Sequence, residues 1–159
     1  LDAAIAAGFR PIQGGNAEIT THPEHARSEQ LVTELLASDV IVIGTPMYNF
    51  SVASQLKAWI DRVMQPGMTF RYTDQGPVGL TRNKRVVVAS TRGGLYSTGP
   101  GACMDFQESY LKAVFGFMGI DKVFFIRAES LSRGAEARLH SMQDANAAIS
   151  ATVKLALAG

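Results

Sequence analysis

The sequence has a single cysteine, Cys103, in 159 residues. One cysteine excludes an intrachain disulfide framework and fits a reducing compartment, so a cytoplasmic protein is expected. Long hydrophobic runs are missing too. No apolar stretch approaches the roughly 20 residues of a membrane span, and no membrane partner is expected. Neither sign of charge is in excess: 15 Lys plus Arg against 14 Asp plus Glu give a formal net charge of +1. That balance offers no basic surface to nucleic acid. The motifs of hydrolysis are absent, with no Gly-x-Ser-x-Gly elbow and no Asp/His cluster. His22 and His25, in the order His-Pro-Glu-His, have no second ligand cluster to join, so no metal site is expected. Residues 1–20 lack the basic-then-apolar order of an export leader. Gly8, Pro11, Gly14 and Gly15 punctuate them as loop.

What is present is apolar and alternating. Hydrophobic residues make up 47% of the chain and charged residues 18%, the balance of a globular domain. A helix capped by Thr21 or His22, with Pro23 in its first turn, runs to about Ala37 on an apolar face of Leu31, Val32, Leu35 and Leu36. Residues 39–44 form a continuous β-branched run, the sign of a strand buried on both faces. Leu56, Trp59, Ile60, Val63 and Met64 recur at spacings of three and four, so a helix spans roughly 52–65 until Pro66-Gly67 stops it. Residues 68–83 read as a turn-rich excursion around Thr73-Asp74-Gln75-Gly76-Pro77. A second strand covers 85–90 and a third covers 122–126. Between them lie a Gly-rich loop from Thr91 to Gly101 and a helix over about 102–118. A long Ala-rich helix follows Arg133-Gly134 and turns Leu139, Met142, Ala145, Ile149 and Val153 inward.

This alternation predicts an α/β fold with a doubly wound parallel sheet and helices on both sides. Three strands are few for that architecture. A fully apolar 39–44 strand at a sheet edge would expose unpaired backbone groups. An upstream βαβ unit of roughly 30 residues is therefore expected before Leu1.

In open α/β sheets, ligands bind outside the carboxyl ends of the strands. Two loops occupy that position. Gly44-Thr45-Pro46-Met47-Tyr48-Asn49-Phe50-Ser51 combines aromatic faces with the Asn49 amide, which suits a large planar ligand. Ser90-Thr91-Arg92-Gly93-Gly94-Leu95-Tyr96 offers backbone N–H groups at adjacent glycines and a cation at Arg92. Composition alone favours reading both as ordinary βα loops.

The run Pro46-Met47-Tyr48-Asn49-Phe50-Ser51, followed by Ser54-Gln55-Leu56-Lys57-Ala58-Trp59-Ile60-Asp61-Arg62, resembles the signature of the FMN-dependent NADH-azoreductases. These belong to the flavodoxin-like NAD(P)H:quinone oxidoreductase superfamily. The likeness continues through Thr69-Phe70-Arg71-Tyr72-Thr73, Gly76-Pro77-Val78-Gly79-Leu80, Arg92-Gly93-Gly94, Phe117-Met118-Gly119-Ile120 and Phe125-Ile126-Arg127-Ala128-Glu129. It covers nearly all of residues 30–159. It implies one flavodoxin-like domain over 1–159, N-terminally incomplete, with strand order 2-1-3-4-5 and strands three, four and five visible.

The resemblance also implies a homodimer holding FMN near the subunit interface. Met47, Tyr48, Asn49 and Phe50 would line one side of the isoalloxazine, and Thr91, Arg92, Gly93 and Gly94 would contact its polar edge. Tyr72 and Phe115 are candidates for the substrate side. Ala53 stands where relatives often have proline, and Thr91 where they often have serine. The family's serine-rich FMN-phosphate loop, after the first strand, has no counterpart in residues 1–159.

Two functions remain in view. One is an oxidoreductase in which NAD(P)H reduces the flavin at N5 and a quinone or azo compound then accepts the reducing equivalents, by a ping-pong mechanism. The flavin carries that chemistry, so no catalytic side chain is required. The alternative is a non-catalytic flavodoxin-like module, or a truncated fragment that no longer holds FMN. A phosphoacceptor domain would need acidic residues at its strand ends, where Gly44-Thr45-Pro46 and Ser90-Thr91-Arg92 stand instead. An electron-transfer flavodoxin would be strongly acidic.

Overall fold

The computed structural model describes residues 23–158. The expected helix caps Thr21 and His22, and the loop over 1–20, lie outside them. The chain forms α1 (Pro23–Ala37), β1 (Val40–Pro46), α2 (Ser54–Val63), β2 (Phe70–Thr73), β3 (Gly76–Gly79), β4 (Arg85–Thr91), a short 3-10 helix (Gly99–Met104), α3 (Phe106–Phe117), β5 (Lys122–Ala128) and α4 (Ala135–Leu157).

Strands β1, β4 and β5 make one parallel sheet in the order β1-β4-β5. Their registers align the three carboxyl ends, with Pro46 opposite Thr91 and Thr91 opposite Ala128. The following loops therefore leave the sheet along one edge, as the topology of open α/β sheets requires of a binding site.

The period-2 alternation of strand side chains divides the core into two layers. Val86 and Val88 face α1, α2 and α3 and pack with Val32, Leu35, Ile60, Val63, Leu111 and Phe115. Val87 faces the opposite way, with Ile126 and Ala128, against Ala145 and Ala156 of α4. Each fully buried large side chain in the first layer contributes about 1.5–3 kcal/mol of transfer free energy.

Four sequence expectations are corrected. Residues 102–118 are not one helix: the 3-10 turn comes first, and α3 begins after Asp105, whose carboxylate accepts from the Gln107 and Glu108 N–H groups at 3.1 and 3.0 Å. That cap satisfies the helix's first free donors. The excursion over 68–83 holds an antiparallel hairpin, β2–β3. Its strands have four residues each, β2 mostly exposed and β3 mostly half-buried, so no apolar alternation announces them. In β1, Val42 is 73% exposed, because this strand flanks the described sheet. On α4, the expected inward residues Leu139, Met142, Ile149 and Val153 stay exposed. The helix approaches the sheet on its alanines and leaves an apolar groove beside β1.

Arg62 ties α2 to α1. Its guanidinium pairs with the Glu24 carboxylate and donates to Ser28 Oγ at 3.3 Å.

Candidate functional site

The β1 loop makes a tight reversal. Tyr48 and Ser51 exchange backbone hydrogen bonds of 3.0 Å, with Asn49 and Phe50 between them. Both central residues have positive φ, 45° at Asn49 and 70° at Phe50. This is the backbone of a type I′ turn, which favours Asn first and Gly second. Phenylalanine at the second position is strained, by about 1–3 kcal/mol. The surroundings hold it there. Phe50 C=O accepts from Phe106 N–H at 3.1 Å, and its ring meets Tyr96 edge-on with centroids 5.9 Å apart. The Asn49 side chain is exposed and bonds to no described residue.

The β4 loop is held from one side. The carbonyls of Arg92, Gly93 and Gly94 accept from Leu131, Ser132 and Ser130 at 3.1, 3.1 and 2.8 Å. The N–H groups of Gly93, Gly94 and Leu95 donate to no described residue. Among the described residues, three successive backbone donors are thus left without a partner beside three carbonyls that are paired. The Phe50–Tyr96 contact joins this loop to the Asn49–Phe50 turn, and Met47 N–H donates to Thr91 C=O at 2.8 Å.

Arg92 differs from its expected place. Its side chain is fully buried and commits its guanidinium to three carboxylates: Asp105 at 2.7 Å, Glu108 at 2.8 Å and Glu129 at 3.3 Å. Its Nε donates to Ser90 Oγ at 3.1 Å. Ser90 Oγ donates to Gln107 Oε1 at 2.7 Å, and Gln107 Nε2 donates to Pro46 C=O at 2.9 Å. A chain of buried polar contacts therefore runs from the end of β1 to the end of β5. The Arg92 side chain is structural, and its own N–H donates to Ala128 C=O at 2.8 Å, so Arg92 adds no free donor to the loop.

Electrostatics favour the ionised form of Glu108 and Glu129. Burial pushes the Glu108 carboxyl up, but the hydrogen bond and charge of Arg127, with the charges of Arg92 and Lys112, outweigh it and leave the pKa below the usual range. Burial likewise raises Glu129. The Ser97 hydroxyl, the Tyr96 N–H, the Arg92 charge and the Ser97 N–H overcome it, and the net shift is downward.

The structure brings Met47, Tyr48, Asn49, Phe50, Thr91, Gly93 and Gly94 to one sheet edge. Two expected residues are not among them. Phe115 is fully buried against Trp59 and the first core layer, out of reach of any substrate. Tyr72 is 72% exposed on the hairpin. That hairpin docks through Phe70 on Phe117, at the far end of α3 from Asp105, roughly 18 Å of helix away. Sequence reading missed Ser90, Asp105, Gln107, Glu108 and Glu129. Charged residues just beyond strand ends were the available signal, but spacing alone does not pair them across 13 to 37 positions.

Among the described residues no group of His, Cys, Asp and Glu could hold a metal ion, and no helix is long and apolar enough to cross a membrane. Cys103 is exposed and donates weakly to Pro100 C=O at 3.4 Å.

Comparison with known proteins defines the class first. The profile of a family described as "Flavodoxin-like fold" matches residues 1–153. The chain is 63% identical over 158 residues to the FMN-dependent NADH:quinone oxidoreductase of Ralstonia nicotianae, covering 99% of this chain and 76% of that protein. It is 56% identical over 154 residues to FMN-dependent NADH:quinone oxidoreductase 2 of Xanthomonas axonopodis pv. citri, covering 97% and 71%. The solved FMN-dependent NADH-azoreductase of Bacillus anthracis, in complex with FMN, superposes with a TM-score of 0.79 at 26% identity, over 98% of this chain and 75% of that one. This chain belongs to the FMN-dependent NADH:quinone oxidoreductase family of flavodoxin-like proteins.

Proposed function

We propose that this chain is an FMN-dependent NADH:quinone oxidoreductase that also accepts azo compounds. The observation that carries the reading is the pairing of free N–H donors at Gly93, Gly94 and Leu95 with the strained, aromatic Tyr48–Phe50 turn at one sheet edge. These residues fit FMN. A planar, amphipathic ring system needs apolar faces along its body and directed donors at its polar edge.

FMN, when bound, supplies the redox chemistry. The chain's residues bind and orient it. Met47, Tyr48, Asn49 and Phe50 would line the ring, with the Asn49 amide as a directional hydrogen-bonding group. The N–H groups of Gly93 and Gly94 would meet the ring's polar edge, where preorganised donors favour developing negative charge. Thr91 completes that edge with its hydroxyl. Arg92 contributes by holding the loop, through its carboxylate partners and its backbone bonds to Ala128 and Leu131. With FMN held there, the loops would leave one open face for both NADH and an aromatic acceptor, which accounts for the expected ping-pong kinetics and permissive acceptor selection.

The protein acts as a homodimer in the cytoplasm. The exposed Tyr72 supports this arrangement, because a second copy can carry it to the substrate side of a site its own chain does not reach.

Initial rates test the reading. NADH oxidation by the purified chain is expected to require both added FMN and a quinone, and to give parallel double-reciprocal lines when the two substrates are varied. NADH oxidation at the rate of free FMN alone, with no contribution from the protein, would overturn it.

A further inference from the structure

The three carboxylates around Arg92 have different duties. Asp105 caps α3. Glu108 pairs with Arg127 and lies 3.5 Å from Lys112. Glu129 alone among them bonds the backbone of the β4 loop: Oε1 accepts from Tyr96 N–H at 2.9 Å and from Ser97 N–H at 3.0 Å, while Oε2 accepts from the Ser97 hydroxyl. The next residues in the chain, Ser130, Leu131 and Ser132, take the loop's carbonyls. The segment 129–132 therefore binds the loop at 92–94 and again at 96–97. Between these points only the N–H groups of Gly93, Gly94 and Leu95 are left over.

We propose that Glu129 is a positioning residue for the flavin: reaching across to Tyr96 and Ser97, it sets the bend that leaves the Gly93, Gly94 and Leu95 N–H groups free for the flavin's polar edge. The proposal rests on the reading of this edge as an FMN site. Glu129 itself touches no cofactor and transfers no proton. It contributes through reach, because both of its oxygens are spent on the loop, and Arg92 retains Asp105 and Glu108 as counter-charges without it.

Reach and charge can be separated by two substitutions. Glu129→Asp keeps the negative charge near Arg92 but draws the carboxylate back by one methylene. Glu129→Gln keeps the length and an acceptor oxygen but removes the charge. If Glu129 works by reach, the aspartate variant is the damaged one. Three readouts apply to each. Amide hydrogen exchange in the flavin-free chain should rise about tenfold at Tyr96 and Ser97 in Glu129→Asp, with α3 unaffected, and change less than about threefold in Glu129→Gln. The FMN dissociation constant should rise about tenfold in Glu129→Asp and stay within about threefold of wild type in Glu129→Gln. The midpoint potential of bound flavin should become more negative in Glu129→Asp, since misaligned donors stabilise the reduced ring less. A residue that served only as a counter-charge would give the reverse order, with Glu129→Gln the worse variant, and would overturn the proposal. Unchanged exchange at Tyr96 and Ser97 in Glu129→Asp would overturn it as well. A wild-type chain that binds no FMN would instead overturn the reading of the site, and the exchange data alone would then decide whether Glu129 orders the loop.

Discussion

Phe50 occupies a backbone position that glycine would fill without strain, at φ 70°. Local preference and observed residue disagree there, and such disagreements concentrate at functional sites. The ring must therefore contribute something the turn alone does not need. Glu129 contacts explain the next loop, but the ring of Phe50 is the element that joins the two loops laterally, through Tyr96. For Phe50→Gly, relief of strain and loss of the edge contact are each about 1 kcal/mol and oppose one another. Unfolding stability should then change by less than about 1 kcal/mol, while FMN affinity falls by about tenfold or more. Urea denaturation and a flavin fluorescence titration check both halves. At Gly94, an added Cβ would lie 2.9–3.0 Å from the Tyr96 ring and hydroxyl. Gly94→Ala should displace that ring and weaken FMN binding, with a smaller effect on folding.

Elements are held to one another by contacts that leave little trace in sequence. The β2–β3 hairpin meets the end of α3 backbone to backbone, and a Cβ at Gly79 would collide with the Met118 and Gly119 main chain. Thr81 reinforces this dock, its N–H donating to Met118 C=O at 2.9 Å and its hydroxyl at 2.6 Å. Gly79→Ala should destabilise the chain by about 1–3 kcal/mol, the cost of overpacking, whereas Gly44→Ala, with open space around it, should not. A comparison of their thermal midpoints checks the contrast. Gln107 is fully buried and bridges Ser90 to the end of β1. Gln107→Leu takes one buried hydrogen bond from each partner, leaving Ser90 with Arg92 and Pro46 C=O with the Thr45 hydroxyl, and should cost about 1–3 kcal/mol in a urea titration.

The main elements were legible because buried parallel strands have a strong pattern: Val86, Val87 and Val88 are all buried, and continuous β-branched runs announce this. The two site loops were legible through the resemblance carried by Met47 to Ser51 and Arg92 to Gly94. The Arg92 hub was not. Its members come from four separate parts of the chain, and a charge that is buried by its partners looks in sequence like a charge in solvent. The hairpin escaped for the opposite reason, since four-residue strands that lie exposed or half-buried carry no apolar period.

At the scale of the whole molecule, three cations, Arg92, Lys112 and Arg127, face three carboxylates, Asp105, Glu108 and Glu129, directly beneath the site. The Glu108 and Glu129 carboxyls have pKa values below their ordinary range. In the acid range the unfolded chain therefore binds more protons than the folded one. The stabilisation is fully present above the ordinary glutamate pKa of about 4.3 and is lost as pH falls through the lower folded values. Stability measured from pH 7 to 3 should be nearly flat to about pH 5 and then fall, and Glu108→Gln should flatten the fall. The same network fixes the ends of β1, β4 and β5 relative to each other, so loop geometry and acid stability share one cause.

The central claim is that the loops after β1 and β4 together hold FMN. The most direct measurement is the visible absorption spectrum of the purified chain after incubation with FMN and desalting. A retained flavin band, bleached by NADH without oxygen and restored by a quinone, is the predicted result. A colourless protein would contradict the claim.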